Sequence, residues 1–265
     1  MRHNYTLILK NKQHNTSMHI HVAPAYASLR SEIETLEKAF EQGRILQEGR
    51  NSVRVCIVGG QEVNVKRYRQ PAFWQRIVYR FLRKPKGLRS FLYPAQLKVA
   101  KINSPQPIAY REDRRGGLIT SSWLVTEQCP YRRNFREMGD AELTDEVKDI
   151  LRAFVRFTAR MHGAGFLHLD YSPGNILFDR EEGKWVFSVV DTNRMRTGHV
   201  SVKRGCENFA RLWGQPDMFR FIAEEYAAVR HANPERCIGW TMEARKRFWT
   251  RFNRRHQVKG FTLNF

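Results

Sequence analysis

Two periodicities divide the chain. Before about residue 127 apolar residues tend to alternate with polar ones, and beyond about residue 144 they recur every three to four positions. "YTLILK" and "MHIHV" predict a short hairpin from Tyr5 to Val22, and Leu29, Ile33, Leu36 and Phe40 predict a helix over Ser28 to Gln42. "SVRVCIV" and "EVNVKRY" flank Gly59-Gly60, a strong two-residue hairpin signal. "GLITSSWLVTE" then reads as a buried strand. Thr144 is suited to cap a helix whose buried face is Val147, Ile150, Leu151, Phe154, Val155, Thr158 and Met161, with Gly163 and Gly165 stopping it. Helical patterns dominate after about Asn208, most clearly in "PDMFRFIAEEYAAVRH" and "TMEARKRFWTRFNRRH". The pattern therefore predicts an α+β protein in two lobes, strand-rich first and helix-rich later.

One loop breaks the pattern in an informative way. "FLHLDYSPGNILFD", Phe166 to Asp179, sets an acid and an amide five residues apart between apolar runs. Pro173-Gly174 opposes an α-helix through the loop. "ILF" and "WVFSVVD" flank the turn "DREEGK" and predict an antiparallel hairpin. Such a hairpin brings its open ends side by side, so Asn175 and Asp191 are expected neighbours, and the preceding helix delivers Asp170 to the same corner. Two carboxylates and an amide oxygen are hard donors of the kind Mg²⁺ takes together with phosphate and water oxygens. Phosphoryl transfer needs that set, plus a lysine on the nucleotide phosphates; Lys66 in "VNVKRY" is the candidate. The turn-forming residues of the loop also fit a plain capped turn, and Lys66 a solvated strand position.

Charge narrows the partners. Lys plus Arg number 46 against 26 Asp plus Glu, a net charge of +20, which favours polyanionic surfaces. Residues 64 to 111 hold no acid but a dozen Lys and Arg. "FWQRIVYRFLRKPKGLRSF" within them is basic and aromatic, suited to an anionic surface or to helices that pack aromatics inward behind a basic face. Nucleic acid has no motif behind it beyond charge. Four dispersed cysteines argue against a disulfide framework and a thiolate zinc site, and fit a reducing compartment. His19 and His21 share a strand face without a clear third metal ligand. No signal peptide or membrane span is read, so a cytoplasmic protein is expected, with any contact to the inner membrane made peripherally on its cytoplasmic face.

"HLDYSPGNIL" resembles the His-x-Asp-x-x-x-x-Asn catalytic loop of the protein-kinase-like superfamily, and "VVDTNRM" its metal-binding Asp segment. With "VNVKRY", "QRIVY" and "INSPQPIAY", the set is similar to the Kdo/WaaP lipopolysaccharide kinase family over roughly residues 45 to 210. The resemblance implies a two-lobed kinase-like fold: an N-terminal extension over 1–44, a β-rich N-lobe over 45–127 and a mostly helical C-lobe over 128–265. It implies ATP and Mg²⁺ as cofactors and a sugar hydroxyl, Kdo or heptose, of lipopolysaccharide or a lipid A-Kdo precursor as acceptor. Asp170 would be the catalytic base, Asn175 and Asp191 metal ligands, and Lys66 the holder of the α- and β-phosphates. His168 would brace the loop. Gly49 in "QEGRN" would cover phosphates, and adenine would lie near Val125 to Gln128, including Glu127, through backbone groups.

One departure stands out. Kinases pair the strand lysine with a glutamate on the following helix, which would fall near Leu92, yet no acid lies between Glu62 and Glu112. Glu34 or Glu37 is the substitute the sequence offers. Two rival readings stay open: a small RIO-like protein kinase, and a pseudokinase that binds anionic membrane without turnover.

Overall fold

The computed structural model describes residues 6–11 and 15–254. Tyr5, where the first predicted strand was to begin, lies outside them. The chain divides into two compact units, 1–96 with 105–129, and 97–104 with 130–265.

The first unit is built on one antiparallel sheet. Its chain order begins with β1 (Thr6–Asn11), β2 (Thr16–Val22), α1 (Arg30–Glu34), α2 (Leu36–Gln42), β3 (Arg44–Gln47), β4 (Asn51–Val58) and β5 (Gln61–Tyr68). It continues with α3 (Phe73–Phe81), α4 (Lys86–Val99), within which the division between units falls, β6 (Pro107–Arg115) and β7 (Leu118–Glu127). The seven strands lie in the order β1-β2-β6-β7-β5-β4-β3. The hairpin expected at Gly59-Gly60 is present: Val58 pairs with Gln61, and the two glycines carry φ of 57° and 77°. Left-handed backbone at both central positions is what a tight hairpin turn asks for and what glycine supplies at least cost.

The helix expected over Ser28 to Gln42 is broken. A 3₁₀ turn over Pro24–Leu29 leads into α1, and Thr35 (φ −117°, ψ 30°) separates α1 from α2. The apolar spacing survives the break, because Leu29, Ile33, Leu36 and Phe40 are all buried. They pack with Val63, Val65, Trp123 and Val125 into a single core, so α1 and α2 cover one face of the sheet. Arg111 on β6 fastens them there: its buried guanidinium binds Glu37 at 2.5 Å and Asp113 at 3.2 Å.

The second unit is mainly helical. It holds β8 (Arg133–Asn134), α5 (Asp145–Gly163), β9 (Phe166–His168), β10 (Ile176–Glu181), β11 (Lys184–Val189), β12 (Met195–Thr197), α6 (Val202–Asn208), α7 (Pro216–Val229) and α8 (Pro234–Asn253). Helix begins earlier than the sequence pattern suggested, at Val202, and α8 starts at Pro234 rather than near Thr241. Thr144 caps α5, its hydroxyl accepting from the Val147 amide at 3.3 Å. Ile150, Leu151, Phe154, Val155, Thr158 and Met161 form the buried face as expected. Phe154 meets the rings of Phe135, Tyr171, Phe187 and Phe209, which makes it the hub of this core.

Candidate active site

The loop after β9 owes its shape to groups on both sides of Asp170. Tyr171 is fully buried, its hydroxyl within 2.7 Å of the Thr158 hydroxyl on α5. Burial raises the Tyr171 pKa, keeping it a neutral anchor. Pro173–Asn175 forms one 3₁₀ turn, so the proline-glycine pair excludes an α-helix but not a tighter turn. A Cβ on Gly174 would come within 2.5 Å of the Arg136 guanidinium, so the turn runs close to that side chain.

β10 and β11 pair from Ile176↔Val189 to Glu181↔Lys184. The ladder extends one step further, the Val190 amide donating to the Asn175 carbonyl at 3.0 Å. Asp191 follows at once, which is the geometry the two apolar runs implied. The amide nitrogen of Asn175 donates to the Asp170 carbonyl at 2.9 Å, leaving its side-chain oxygen as the donor atom for a cation. Asn193 donates to Oδ1 of Asp191, which sits in left-handed backbone with φ 55° and ψ 50°.

His168 is fully buried. Its Nδ1 accepts from the Asp170 amide at 3.2 Å, so Nε2–H donates to the Val190 carbonyl at 3.0 Å. Burial lowers its pKa, so the ring is a neutral brace between loop and hairpin end. A second buried histidine supports it. His162 lies between the Tyr226 hydroxyl and Asn208 Oδ1, at 2.9 Å and 3.1 Å, and Asn208 donates onward to the His168 carbonyl at 3.0 Å. Burial depresses the His162 pKa to about 4.

Two arginines complete the corner, and sequence reasoning missed what they do. Arg211 donates to Asp170 Oδ1 and, at 3.1 Å, to the Leu169 carbonyl, with its guanidinium over the Phe248 ring. Arg194 stands 3.3 Å from Asp170 Oδ2. Each carboxylate oxygen thus has its own guanidinium, which fixes the orientation of the group. Arg194 is visible in "VVDTNRM"; Arg211 is 41 residues from Asp170 with no local signal.

In the sheet unit, Lys66 occupies β5 between Val53 and Leu124. Val63 and Val65 are in the core, so alternation turns Lys66 to the opposite sheet face with Asn64 and Tyr68, and its Nζ lies 5.3 Å from the Tyr68 ring centre. Neither substitute acid is left over: Glu37 is bound by Arg111, and Glu34 stands 3.6 Å from Arg30. Gly49 lies in the turn between β3 and β4 with φ 154° and open space where a side chain would be. Val125 is buried opposite Val65. Glu127 gives its amide to the Gln106 carbonyl at 2.9 Å, and its carboxylate accepts from Tyr26 at 2.5 Å, holding that phenol up to about 12. Among the described residues no group of three or more His, Cys, Asp and Glu is placed to hold a metal, His19 and His21 included. Asp191 and Asn175 offer a narrower set, one carboxylate and one amide oxygen. That suits Mg²⁺, which completes its shell from phosphate and water.

A lysine-bearing antiparallel sheet, followed by a helical unit with this loop and hairpin, is a protein-kinase-like fold. WaaP, solved in complex with acyl carrier protein, shares it at a TM-score of 0.55 and 18% identity, over 87% of this chain and 99% of that one. The sequence family is more specific: residues 39–254 match the model of the lipopolysaccharide kinase (Kdo/WaaP) family, and the chain belongs to it. A 3-deoxy-D-manno-octulosonic acid kinase of Vibrio cholerae is 30% identical over 104 residues, which is 39% of this chain and 43% of that protein. Cell division control protein 2 homolog D of Antirrhinum majus is 26% identical over 95 residues, 36% of this chain and 30% of that protein. The chain thus spans less than half the length of these curated relatives.

Proposed function

We propose that the protein is an ATP- and Mg²⁺-dependent phosphotransferase acting on a sugar hydroxyl, Kdo or heptose, of lipopolysaccharide inner core or its lipid A precursor. The observation that supports it most is the corner itself, where Asp170, Asn175 and Asp191 converge although they come from a loop and the far end of a hairpin. Family membership supports the acceptor class.

In this reading Asp170 orients the acceptor hydroxyl and takes its proton as the oxygen bonds to the γ-phosphorus and the bond to the departing ADP breaks. Arg211 and Arg194 hold the carboxylate in place, and their charge lies where negative charge grows. Asn175 and Asp191 would hold Mg²⁺, which supplies neutralisation of phosphate charge. Lys66 would bind the α- and β-phosphates, Gly49 would lie over them, and backbone groups from Val125 to Gln128 would meet the adenine. His168 sets the loop and exchanges no proton.

The test is phosphate transfer from labelled ATP to Kdo-lipid A. Transfer that requires Mg²⁺ and disappears in Lys66→Met and Asp191→Ala is expected. Transfer to protein serines with none to the glycolipid would replace this reading with a protein kinase. Nucleotide binding without transfer would make the chain a pseudokinase.

A further inference from the structure

α3 is mounted the wrong way round for a helix of a globular unit. Helices in such proteins turn the apolar stripe inward and leave charge in water. In α3 no residue is buried, and large apolar side chains stand in the open: Trp74 is 76% exposed, Phe81 70%, and Leu82, which follows the helix, 83%. At 100° per residue these three and Val78, also exposed, fall on one stripe. The sides turned toward the unit carry Arg76, Ile77 and Tyr79, which are partly covered. Arg80 fastens the helix to the turn between β6 and β7, donating to the Gly116 carbonyl at 2.9 Å. The stripe thus faces outward while Arg80 ties the helix to the sheet.

The charge around it has one sign. Arg76, Arg80, Arg83, Lys84, Lys86 and Arg89 follow one another through α3 and into α4 without an intervening acid. A cleft of about 330 Å³ opens beside the helix, with Gln75 and Tyr79 on one wall and Arg50, Arg69 and Lys86 around it, and no acid lines it. An aromatic and aliphatic stripe bordered by cations matches the interface of an anionic bilayer, where apolar side chains enter the acyl boundary and guanidinium groups meet phosphates.

We propose that α3 and the turn after it dock this protein on an anionic lipid bilayer. Trp74, Val78, Phe81 and Leu82 insert, and the cleft of Arg50, Arg69 and Lys86 receives a lipid phosphate. The commitment to lipid comes from charge complementarity: a second copy would set this stretch against its own cations, and an acidic protein would meet the charge but has no need of so exposed a Trp-Phe-Leu stripe.

The proposal stands apart from the phosphotransferase reading, because binding is measured without nucleotide or acceptor. The protein, residues 1–265, is sedimented with vesicles of phosphatidylcholine alone and of phosphatidylcholine mixed with phosphatidylglycerol. Strong partition to the mixed vesicles and weak partition to the neutral ones are expected. Trp74→Ser with Leu82→Ser, both at exposed positions, is expected to cut partition by roughly tenfold to a hundredfold with an unchanged thermal midpoint. Arg69→Gln with Lys86→Gln is expected to cost about tenfold, on the mixed vesicles only. Three results would each overturn the proposal. The first is equal sedimentation of the serine variant. The second is a concentration-dependent dimer that the serine variant abolishes, with no vesicle binding. The third is retention of an acidic protein through these residues while vesicles are ignored.

Discussion

The carboxylate corner of the helical unit and the basic stretch from Lys66 to Arg89 in the sheet unit are both rich in charge, and they treat it in opposite ways. At the corner each charge is answered nearby: Asp170 by Arg194 and Arg211, Asp191 by Asn193, the buried His168 by backbone groups. Along the basic stretch the sequence provides no acid at all, and apolar side chains stand beside the cations in water. Charge matched within its own unit positions groups for chemistry. Charge of one sign gathered along the chain beside exposed apolar surface points outward, to a partner.

Substitutions can break that contrast in graded steps. Asp191→Ala is expected to lower phosphate transfer by roughly ten-thousandfold, about 5.4 kcal/mol of barrier, with a modestly lower thermal midpoint because alanine meets the full cost of the left-handed backbone. A transfer assay beside a melting curve checks both. Phe154→Ala, at the hub of the second core, is expected to cost about 3–5 kcal/mol in denaturant unfolding. Acid should reach the same region through His162. Its pKa is about 4 in the folded protein against 6.5 unfolded, so the unfolded chain binds more protons between those values. Stability is then full above pH 6.5 and falls as pH drops toward 4, by up to about 3 kcal/mol, and midpoints measured across that window show it. His162→Gln should flatten the dependence.

Arg211→Ala is expected to lower kcat by about tenfold to a hundredfold, about 1.4–2.7 kcal/mol, with the KM for ATP unchanged and partial recovery in Arg211→Lys. A merely structural arginine would instead lower the melting midpoint and leave kcat per folded molecule intact. The smallest effect falls in the basic stretch, where Trp74→Ser should shift unfolding free energy by no more than about 0.5 kcal/mol. A large loss there would mean that α3 is part of a core.

How far the sequence could be read follows the same division. The cap and buried face of α5, the hairpin at Gly59-Gly60 and the meeting of Asn175 with Asp191 are local: each rests on a period, a turn or a strand pair within a few tens of residues. Arg211 is not local, since nothing near "FARLW" says that its guanidinium reaches a loop 41 residues back. The break at Thr35 left no mark either, because two short helices in sequence keep the apolar spacing of one. The period of α3 reports a stripe but not which side other elements cover; that depends on where Arg80 finds a carbonyl.

The backbone of Asp191 has a consequence of its own. A left-handed conformation costs an ordinary side chain about 1–2 kcal/mol, less for Asp, and costs glycine nothing. Asp191→Gly should therefore relieve the twist, give up the Asn193 hydrogen bond and transfer no phosphate, while Asp191→Asn keeps the twist and removes only the charge. Glycine would satisfy the backbone at this position and nothing else that the corner asks of it.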